Sequence, residues 1–235
     1  MNWLERHSQR IKSLLNETLS KNVGISSLNT VKEKLPKRVN KKLTEQDFEW
    51  AAKELNCEIA AIKAVAEVES RGGGFLPDGQ AVILFEGHIF WRRLKIHGVN
   101  PILHVKGNGS ILHSKWTKAY YNMNQHERLQ KAVKIHRLAA LESASWGMFQ
   151  IMGFNYSACG FKNVQEFINA TMESEGGQLK CFVNFILTNR LDDEIKEHRW
   201  ADFARRYNGS GYKANKYDIK MAEAYQKYAK IQKGS

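Results

Sequence analysis

The sequence predicts an α+β protein that is predominantly helical and contains one small β element. Three observations support this fold class. Apolar residues recur mostly at the three- and four-residue spacing of amphipathic helices, and a single short apolar run near residue 83 has the character of a strand. The 235 residues are 43% hydrophobic and 11% aromatic, which is enough to bury one sizeable core.

Residues 1–43 differ from the rest and are expected to precede a main domain spanning 44–235. This segment carries ten Lys or Arg and three Glu, so it holds over half of the net charge of +12. Its apolar residues fit the stripe of a short helix: Trp3, Leu4, Ile11, Leu14 and Leu15. We expect the segment either to pack on the main domain or to bind an envelope surface.

The main domain is predicted to open with two helices. Thr44 and Asp47 form a capping pattern for a helix through DFEWAAKEL, residues 47–55. Asn56 is expected to cap the next helix, with Glu58 in its first turn, where the helix dipole favours an acid. The glycines at 72–74 should end that helix.

After the glycines, AVILFEGHIFW is predicted to form a short buried strand and then an aromatic turn, the one clear β signal in the chain. Apolar periodicity predicts further helices at 127–143, 175–189, 200–207 and 216–230. No internal repeat is visible.

The net charge, the number and spacing of cysteines and the charged amino terminus each limit the kinds of partner and compartment expected for this chain. The net charge of +12 indicates a polyanionic partner, such as nucleic acid, an anionic membrane or a bacterial envelope. Cys57, Cys159 and Cys181 are odd in number and lack CxxC spacing, so we expect three reduced thiols. The amino terminus is broken by charges, unlike a signal peptide, and this predicts synthesis and retention in a cytoplasm.

The stretch AVAEVESRG places two glutamates on different faces of one predicted helix. On a helical wheel Glu69 falls in the arc of Ile62, Val65 and Ala66, whereas Glu67 lies on the wet face, spaced to pair with Lys63 and Arg71. Desolvation raises the pKa of a carboxyl and keeps it protonated as a proton donor. By position alone, an acid that only bonds to nearby backbone or an arginine fits Glu69 equally well.

Four strings, AVAEVESRGGGF, ILFEGHIF, SASWGMFQIMGFNY and RYNGSGY, occur in this order. Together they resemble the phage N-acetylmuramidase endolysins, a branch of the lysozyme superfamily close to goose-type lysozymes and soluble lytic transglycosylases. The resemblance runs from about residue 44 to the carboxyl terminus. It implies a lysozyme-like domain with a saccharide groove and an enzyme that cleaves peptidoglycan.

The resemblance also implies roles for individual residues. In related enzymes the acid of an E-S pair at the end of a buried helix donates the proton, which here is Glu69 beside Ser70. An S-x-G-x-x-Q-I pattern lines the groove in similar families and matches Ser145, Gly147, Gln150 and Ile151. There, Gly147 should allow close approach of the glycan and Gln150 should offer its amide. The groove tyrosine and the sugar-contacting loop would be Tyr207 and Asn208.

Glu86, in ILFEGHIFW, has no clear counterpart in the goose-type and transglycosylase relatives. As a second catalytic carboxyl it could orient water or stabilise an oxocarbenium-like transition state. It fits equally well as a buried structural acid paired with His88 or an arginine. His88, Phe90 and Phe149 are candidate substrate-binding residues, and the two rings fit either a core or a carbohydrate platform.

The resulting expectation is a monomeric endolysin that hydrolyses the β-1,4 bond after N-acetylmuramic acid, with Glu69 as the general acid. No cofactor or metal is expected, since the histidines lack ligand spacing. Peptidoglycan is the expected partner, with anionic envelope polymers or the outer membrane as further candidates and no specific nucleic acid. The enzyme would wait in the host cytoplasm until released to the periplasm. A lytic transglycosylase and a non-enzymatic basic binder of envelope or nucleic acid are the alternatives.

Overall fold

The computed structural model describes residues 41–70 and 72–233, so the apolar stripe predicted within residues 1–43 lies outside the described part. The α-helices are α1 Glu45–Glu54, α2 Ile59–Glu69, α3 Gly87–Ile96, α4 Gln125–Val133, α5 Arg137–Glu142, α6 Val164–Glu173, α7 Glu175–Thr188, α8 Asp192–Lys196, α9 Trp200–Asn208 and α10 Tyr217–Lys233. Short 3-10 turns occur at Pro101–His104, Gly153–Asn155 and Ser210–Asn215. The predicted α+β, predominantly helical class is confirmed.

The first helix begins as predicted, while the start of the second differs. Thr44 and Asp47 form the capping box of α1. Asn56 does not cap α2: it adopts a left-handed conformation with φ of 48°, which ends α1. Glu58 is instead the N-cap residue of α2, without a side-chain cap bond, and its carboxylate accepts from the Tyr225 hydroxyl at 2.9 Å.

Three short strands form one antiparallel sheet in the order β1–β2–β3. Strand β1 is Ile83–Phe85, as the apolar run predicts, and it pairs with β2, Ala144–Trp146. Strand β3, Ile151–Met152, pairs with the other edge of β2. Strands β2 and β3 were missed because they have only three and two residues, too few for an alternating pattern.

Two further predictions are corrected by the structure. The residues after β1 form the regular helix α3 rather than an aromatic turn. The single helix predicted at 127–143 is two helices, α4 and α5, because the chain is extended at His136, whose Nδ1 accepts from Ala139 N and caps α5. Helices α6 and α8 were not predicted. The helices predicted at 175–189, 200–207 and 216–230 match α7, α9 and α10 closely.

A main core connects most of these elements and includes α2, which packs against α1 and α10, while Ile89 and Met152 form a small second cluster. Glu67 faces outward as predicted, but its partners are Lys227 and Tyr228 of α10. Lys63 pairs with Glu45 at 2.6 Å, and Arg71 lies outside the described residues. The pair of Lys63 with Glu67 expected along α2 is therefore replaced by contacts to neighbouring helices, and the pair of Glu67 with Arg71 stays a prediction.

The three cysteines are free thiols, which confirms the predicted reduced state. Burial raises the pKa of Cys57 and of Cys181 to about 12, which favours the protonated thiol at neutral pH. Across residues 41–70 and 72–233, the helices are all too short or too polar to traverse a bilayer.

Candidate active site

Glu69 is the last residue of α2 and is only 6% exposed. Its neighbours on the same face are the buried Ile62, Val65 and Ala66, as the wheel predicts. Ser70, half-buried, turns the chain into an extended conformation at ψ of 144° and ends the helix. Glu69 is thus held by a rigid helix at the point where the chain leaves the core.

Asn208 binds this carboxyl directly. Its Nδ2 donates to Glu69 Oε1 at 2.6 Å, across 139 residues of sequence. Asn208 is the last residue of α9 and is 1% exposed, so the contact is shielded from water. The resemblance named both residues, and the structure brings them together.

Tyr207 anchors Asn208 in the core rather than facing solvent. It is 1% exposed, and its ring stacks on Phe203 at 5.4 Å between centroids. Phe182 and Phe185 of α7 meet the same ring edge-on at 5.5 and 6.1 Å. Aromatic pairs of this geometry restrict ring motion. Helix α7 therefore fixes the end of α9, from which Asn208 reaches Glu69.

The glycine loop after Glu69 is bound to α7. Gly74 N donates to Glu175 Oε1 at 2.9 Å, and Gln178 Nε2 donates to Gly74 O at 3.2 Å. A Cβ on Gly74 would lie 2.0 Å from Gln178 Oε1, so only glycine permits this approach. Sequence reasoning missed Glu175 and Gln178, because both lie inside an amphipathic pattern that carries no sign of a bond across the fold.

The turn at Gly147–Gln150 is also held by Gln178, whose Oε1 accepts from Met148 N at 2.8 Å. Gln150 Oε1 accepts from Ser145 Oγ at 2.8 Å, and its Nε2 donates to Gly147 O at 2.7 Å. The amide is therefore engaged within the turn. Gly147 has φ of 70°, and a Cβ there would lie 2.6 Å from Gln178 Cδ.

These contacts change the interpretation of the S-x-G-x-x-Q-I pattern. Ser145 is fully buried and Ile151 is 3% exposed. The four residues build a turn and its sheet, and Gly147 is explained by the closeness of Gln178 rather than by a glycan. The resemblance implies that the Gln150 side-chain amide binds a sugar. In this structure the amide oxygen and nitrogen instead bond to Ser145 and Gly147.

The two candidate platform rings lie in the core. Phe90 is 0% exposed and meets Phe85 edge-on at 5.6 Å, while Phe149 is 1% exposed and stacks on Phe182 at 4.2 Å. A ring with no exposed face cannot stack on a sugar. The sequence left these rings open as core residues or as a carbohydrate platform, and the structure supports the core role.

Glu86 lies in a second buried polar cluster between β1 and α3. It is 4% exposed, and the Tyr121 hydroxyl lies 2.9 and 3.2 Å from its two oxygens. His88 Nδ1 is 3.3 Å from Oε2, which is the pairing that the structural reading of Glu86 expected. Trp116 Nε1 donates to the Tyr121 oxygen at 3.0 Å. Burial and the charge of Glu86 raise the pKa of Tyr121, so its hydroxyl remains a donor.

Arg128 completes this cluster on the side of α4. It is 3% exposed and donates to Phe85 O at 2.8 Å and to Ser110 O at 2.9 Å. Burial lowers the pKa of Arg128, although the nearby charge of Glu86 opposes the shift. Tyr121, Trp116 and Arg128 were not predicted, since the sequence gives no sign of their partners. His88, 1% exposed, belongs to this cluster.

Within the described part of the chain, no group of three or more His, Cys, Asp or Glu is arranged to hold a metal ion. Two cavities, of about 430 and 460 Å³, are lined by the starts of α9 and α10 and by the α1–α2 junction. Neither includes Glu69. The saccharide groove that the resemblance implies stays a prediction.

Comparison with known proteins identifies the family. The family model described as Muramidase, N-acetylmuramidase, matches residues 58–229, well over half of the chain. This chain belongs to the N-acetylmuramidase family. The match begins at the N-cap of α2 and ends within α10, so it contains Glu69, the sheet and Asn208.

Two relatives of the muramidase are endolysins. The crystal structure of Burkholderia AP3 phage endolysin is similar with a TM-score of 0.76 and 40% identity, covering 82% of this chain and 74% of that one. The endolysin of Enterobacteria phage PRD1 is 28% identical, over 46% of this chain and 83% of its own. The lysozyme-like fold and the resemblance to phage muramidases are confirmed, and the muramidase is a glycosidase that degrades peptidoglycan.

Proposed function

We propose that this muramidase hydrolyses the β-1,4 bond between N-acetylmuramic acid and N-acetylglucosamine, with Glu69 as the general acid. The observation that carries the proposal is the buried Glu69 carboxyl bonded to Asn208 at the end of α2. Burial disfavours the charged form of a carboxyl, and a protonated acid is what a glycosidic leaving group requires.

The Asn208 bond supports an assignment of the oxygen that gives the proton. We assign the proton of the acid form to Oε2, because Oε1 accepts from Asn208 Nδ2. In the proposed step, Oε2 gives this proton to the bridging oxygen as the bond to the muramic acid C1 breaks. Asn208 then stabilises the carboxylate that remains, since a hydrogen bond to the charged form favours it.

Water completes the reaction by adding hydroxide to C1, and its second proton returns to Glu69. The enzyme is thereby restored without a cofactor. If the 6-hydroxyl of the sugar added instead, the product would be a 1,6-anhydro sugar, as in a lytic transglycosylase. The Glu69–Asn208 pair is compatible with both reactions, so the mass of the product distinguishes them. The reducing end formed by hydrolysis is heavier than the 1,6-anhydro end by one water.

We infer a structural role for Glu86. Its oxygens are bound by Tyr121, and His88 lies beside it, which supports the pairing expected of a buried structural acid. It holds the junction of β1 with α3. Its variant Glu86→Gln should therefore lose less turnover than Glu69→Gln at equal folded concentration.

The test is turnover of purified peptidoglycan by wild type, Glu69→Gln and Glu67→Gln, with products weighed. Glu67→Gln is the matched control, because Glu67 lies on the same helix but is exposed. We expect Glu69→Gln to lower kcat by about 100-fold or more with an unchanged fold, the loss typical of a missing general acid. Equal activity of the two variants would refute the role of Glu69, and retained binding without cleavage by any form would support the non-enzymatic alternative.

Residence in the host cytoplasm before lysis also stays a prediction. Cell fractionation before and after membrane permeabilisation tests it.

A further inference from the structure

One long stretch of the chain carries only positive charge. Residues 87–126 contain no Asp or Glu but hold six Lys or Arg: Arg92, Arg93, Lys95, Lys106, Lys115 and Lys118. Arg93 is neutralised by Glu142 at 2.7 Å. Lys95 and Lys106, in contrast, have exposed side chains at the end of α3 and after the 3-10 turn. This region therefore presents net positive charge to solvent.

The same stretch exposes four aliphatic residues, which we call the aliphatic tip: Ile96, Ile102, Leu103 and Val105. Their exposed fractions are 46%, 63%, 78% and 41%. Single exposed apolar residues are ordinary on a protein surface. Four within ten positions, on one helix end and the adjoining turn, indicate a binding surface.

The tip is held in a defined conformation. Pro101 is buried beneath it, and Asn100 Oδ1 accepts from Ile102 N at 3.1 Å. Asn108 Nδ2 donates to His104 O at 2.8 Å, and Lys131 Nζ donates to Gly107 O at 2.7 Å. Ile102 and Leu103 are therefore presented outward by a bonded turn, which reduces the entropy lost when they meet a partner.

We propose that the aliphatic tip inserts into the surface of an anionic phospholipid bilayer, with Lys95 and Lys106 meeting the lipid phosphates. Buried aliphatic side chains gain free energy in hydrocarbon, and flanking lysines add electrostatic attraction to anionic headgroups. Four exposed aliphatic side chains match hydrocarbon better than they match the hydroxyl-rich surface of a glycan.

The assay is co-sedimentation of the full chain with vesicles of phosphatidylglycerol and phosphatidylcholine, beside vesicles of phosphatidylcholine alone. The variant Ile102→Ser/Leu103→Ser removes the two most exposed residues of the tip. The control Leu138→Ser/Ile219→Ser removes side chains that are 46% and 50% exposed elsewhere. Both pairs preserve the net charge, so the basic residues 1–43 contribute equally in each protein.

We expect the tip variant to weaken partitioning to anionic vesicles by about tenfold, the effect of withdrawing two aliphatic side chains from the interface, and the control to have little effect. Lys106→Gln should weaken it by about fivefold, on anionic vesicles alone. Equal losses in the tip and control pairs would overturn the proposal, and so would binding by wild type that is independent of lipid charge.

Insertion has a direct readout as well. An environment-sensitive fluorophore on Leu103→Cys, in a chain with Cys57→Ser, should shift to the blue on anionic vesicles, whereas one on Ile219→Cys should not. An unshifted label at 103 together with tip-dependent binding to purified peptidoglycan would indicate a glycan surface and refute the lipid. These vesicles contain no peptidoglycan, and Glu69→Gln should bind them normally, so the outcome is independent of the proposed reaction.

Discussion

At the scale of residues, two buried glutamates receive different partners. Asn208 binds the Glu69 carboxyl at the end of α2, whereas Glu86 is bound by a tyrosine and lies beside a histidine. The sequence placed both in apolar surroundings. The resemblance named Glu69 as the acid and left Glu86 open, and apolar position alone does not separate them, because Asn208 and Tyr121 reach them across 139 and 35 residues of chain.

Replacing Asn208 tests the contact to Glu69. We expect Asn208→Ala to lower kcat by about 10- to 100-fold with a smaller change in KM, since Glu69 loses the bond that orients it. Asn184→Ala is the matched control, because that amide donates only to Cys159 O, at 2.9 Å. Each variant should cost about 1–2 kcal/mol of unfolding free energy, but only the first should lose turnover. Comparable losses of turnover would show that the effect is general loosening.

Removing the Tyr121 hydroxyl tests the second cluster. In Tyr121→Phe, Glu86 loses its closest donor while staying buried, which should lower the free energy of unfolding by about 1–3 kcal/mol. Turnover per folded molecule should remain close to that of wild type. Denaturant unfolding and peptidoglycan turnover measure the two quantities. A stable variant without activity would assign Glu86 to the reaction instead.

At the scale of elements, the break between α4 and α5 shows where periodicity fails. The apolar pattern of 127–143 continues through the break, so the sequence predicts one helix. The side chain of His136 nevertheless caps α5, and its ring stacks on His97 at 4.9 Å. A capping bond depends on the position of a single side-chain atom, and a hydrophobic pattern contains no information about that position. The same limitation explains the misplaced cap at Asn56.

This cap should make stability depend on pH. Burial, with the nearby charge of His97, lowers the pKa of His136 below its ordinary 6.5, and Nδ1 must be unprotonated to accept from Ala139 N. The folded state therefore binds fewer protons than the unfolded one. Its contribution to stability is complete above pH 6.5 and is lost as the pH falls from there through the lowered pKa.

His136→Asn keeps a capping acceptor but does not titrate, so the decline in unfolding free energy from pH 7 to 5 should become shallower. Urea unfolding at several pH values measures it. Some decline in the unfolding free energy from pH 7 to 5 should remain in His136→Asn, because burial also lowers the pKa of His113. His104→Asn, at a histidine outside this contact, is the control. A slope unchanged by His136→Asn would contradict the assignment.

At the scale of the whole molecule, the end of the basic segment is part of the folded domain. Glu175 N donates to Lys41 O at 2.7 Å, and Leu43 N donates to Glu175 Oε2 at 3.1 Å. Lys42 Nζ pairs with Oε1 at 3.0 Å, the same oxygen that receives Gly74 N. Residues 41–43 are thereby connected to the glycine loop after Glu69. The predicted boundary at residue 43 otherwise stays a prediction.

Two truncations separate these roles. Removal of residues 1–40 should leave turnover of purified peptidoglycan near wild type, and should weaken lysis of whole cells if the segment binds the envelope. Removal of residues 1–43 should also lower the free energy of unfolding by about 1–3 kcal/mol, because the buried Glu175 carboxyl loses donors. Glu175→Gln in the full chain should reproduce that destabilisation. Equal stability of the two truncations would contradict the contact.

The sequence by itself determined the helical class, the strand at 83–85 and the place of Glu69 on the buried face of α2, because each depends on side chains close together in the chain. Only the tertiary structure decided that Asn208 binds Glu69, that Gln150 serves its own turn, and that Phe90 and Phe149 are core. Those outcomes depend on contacts between distant segments, and periodicity contains no information on which buried faces meet.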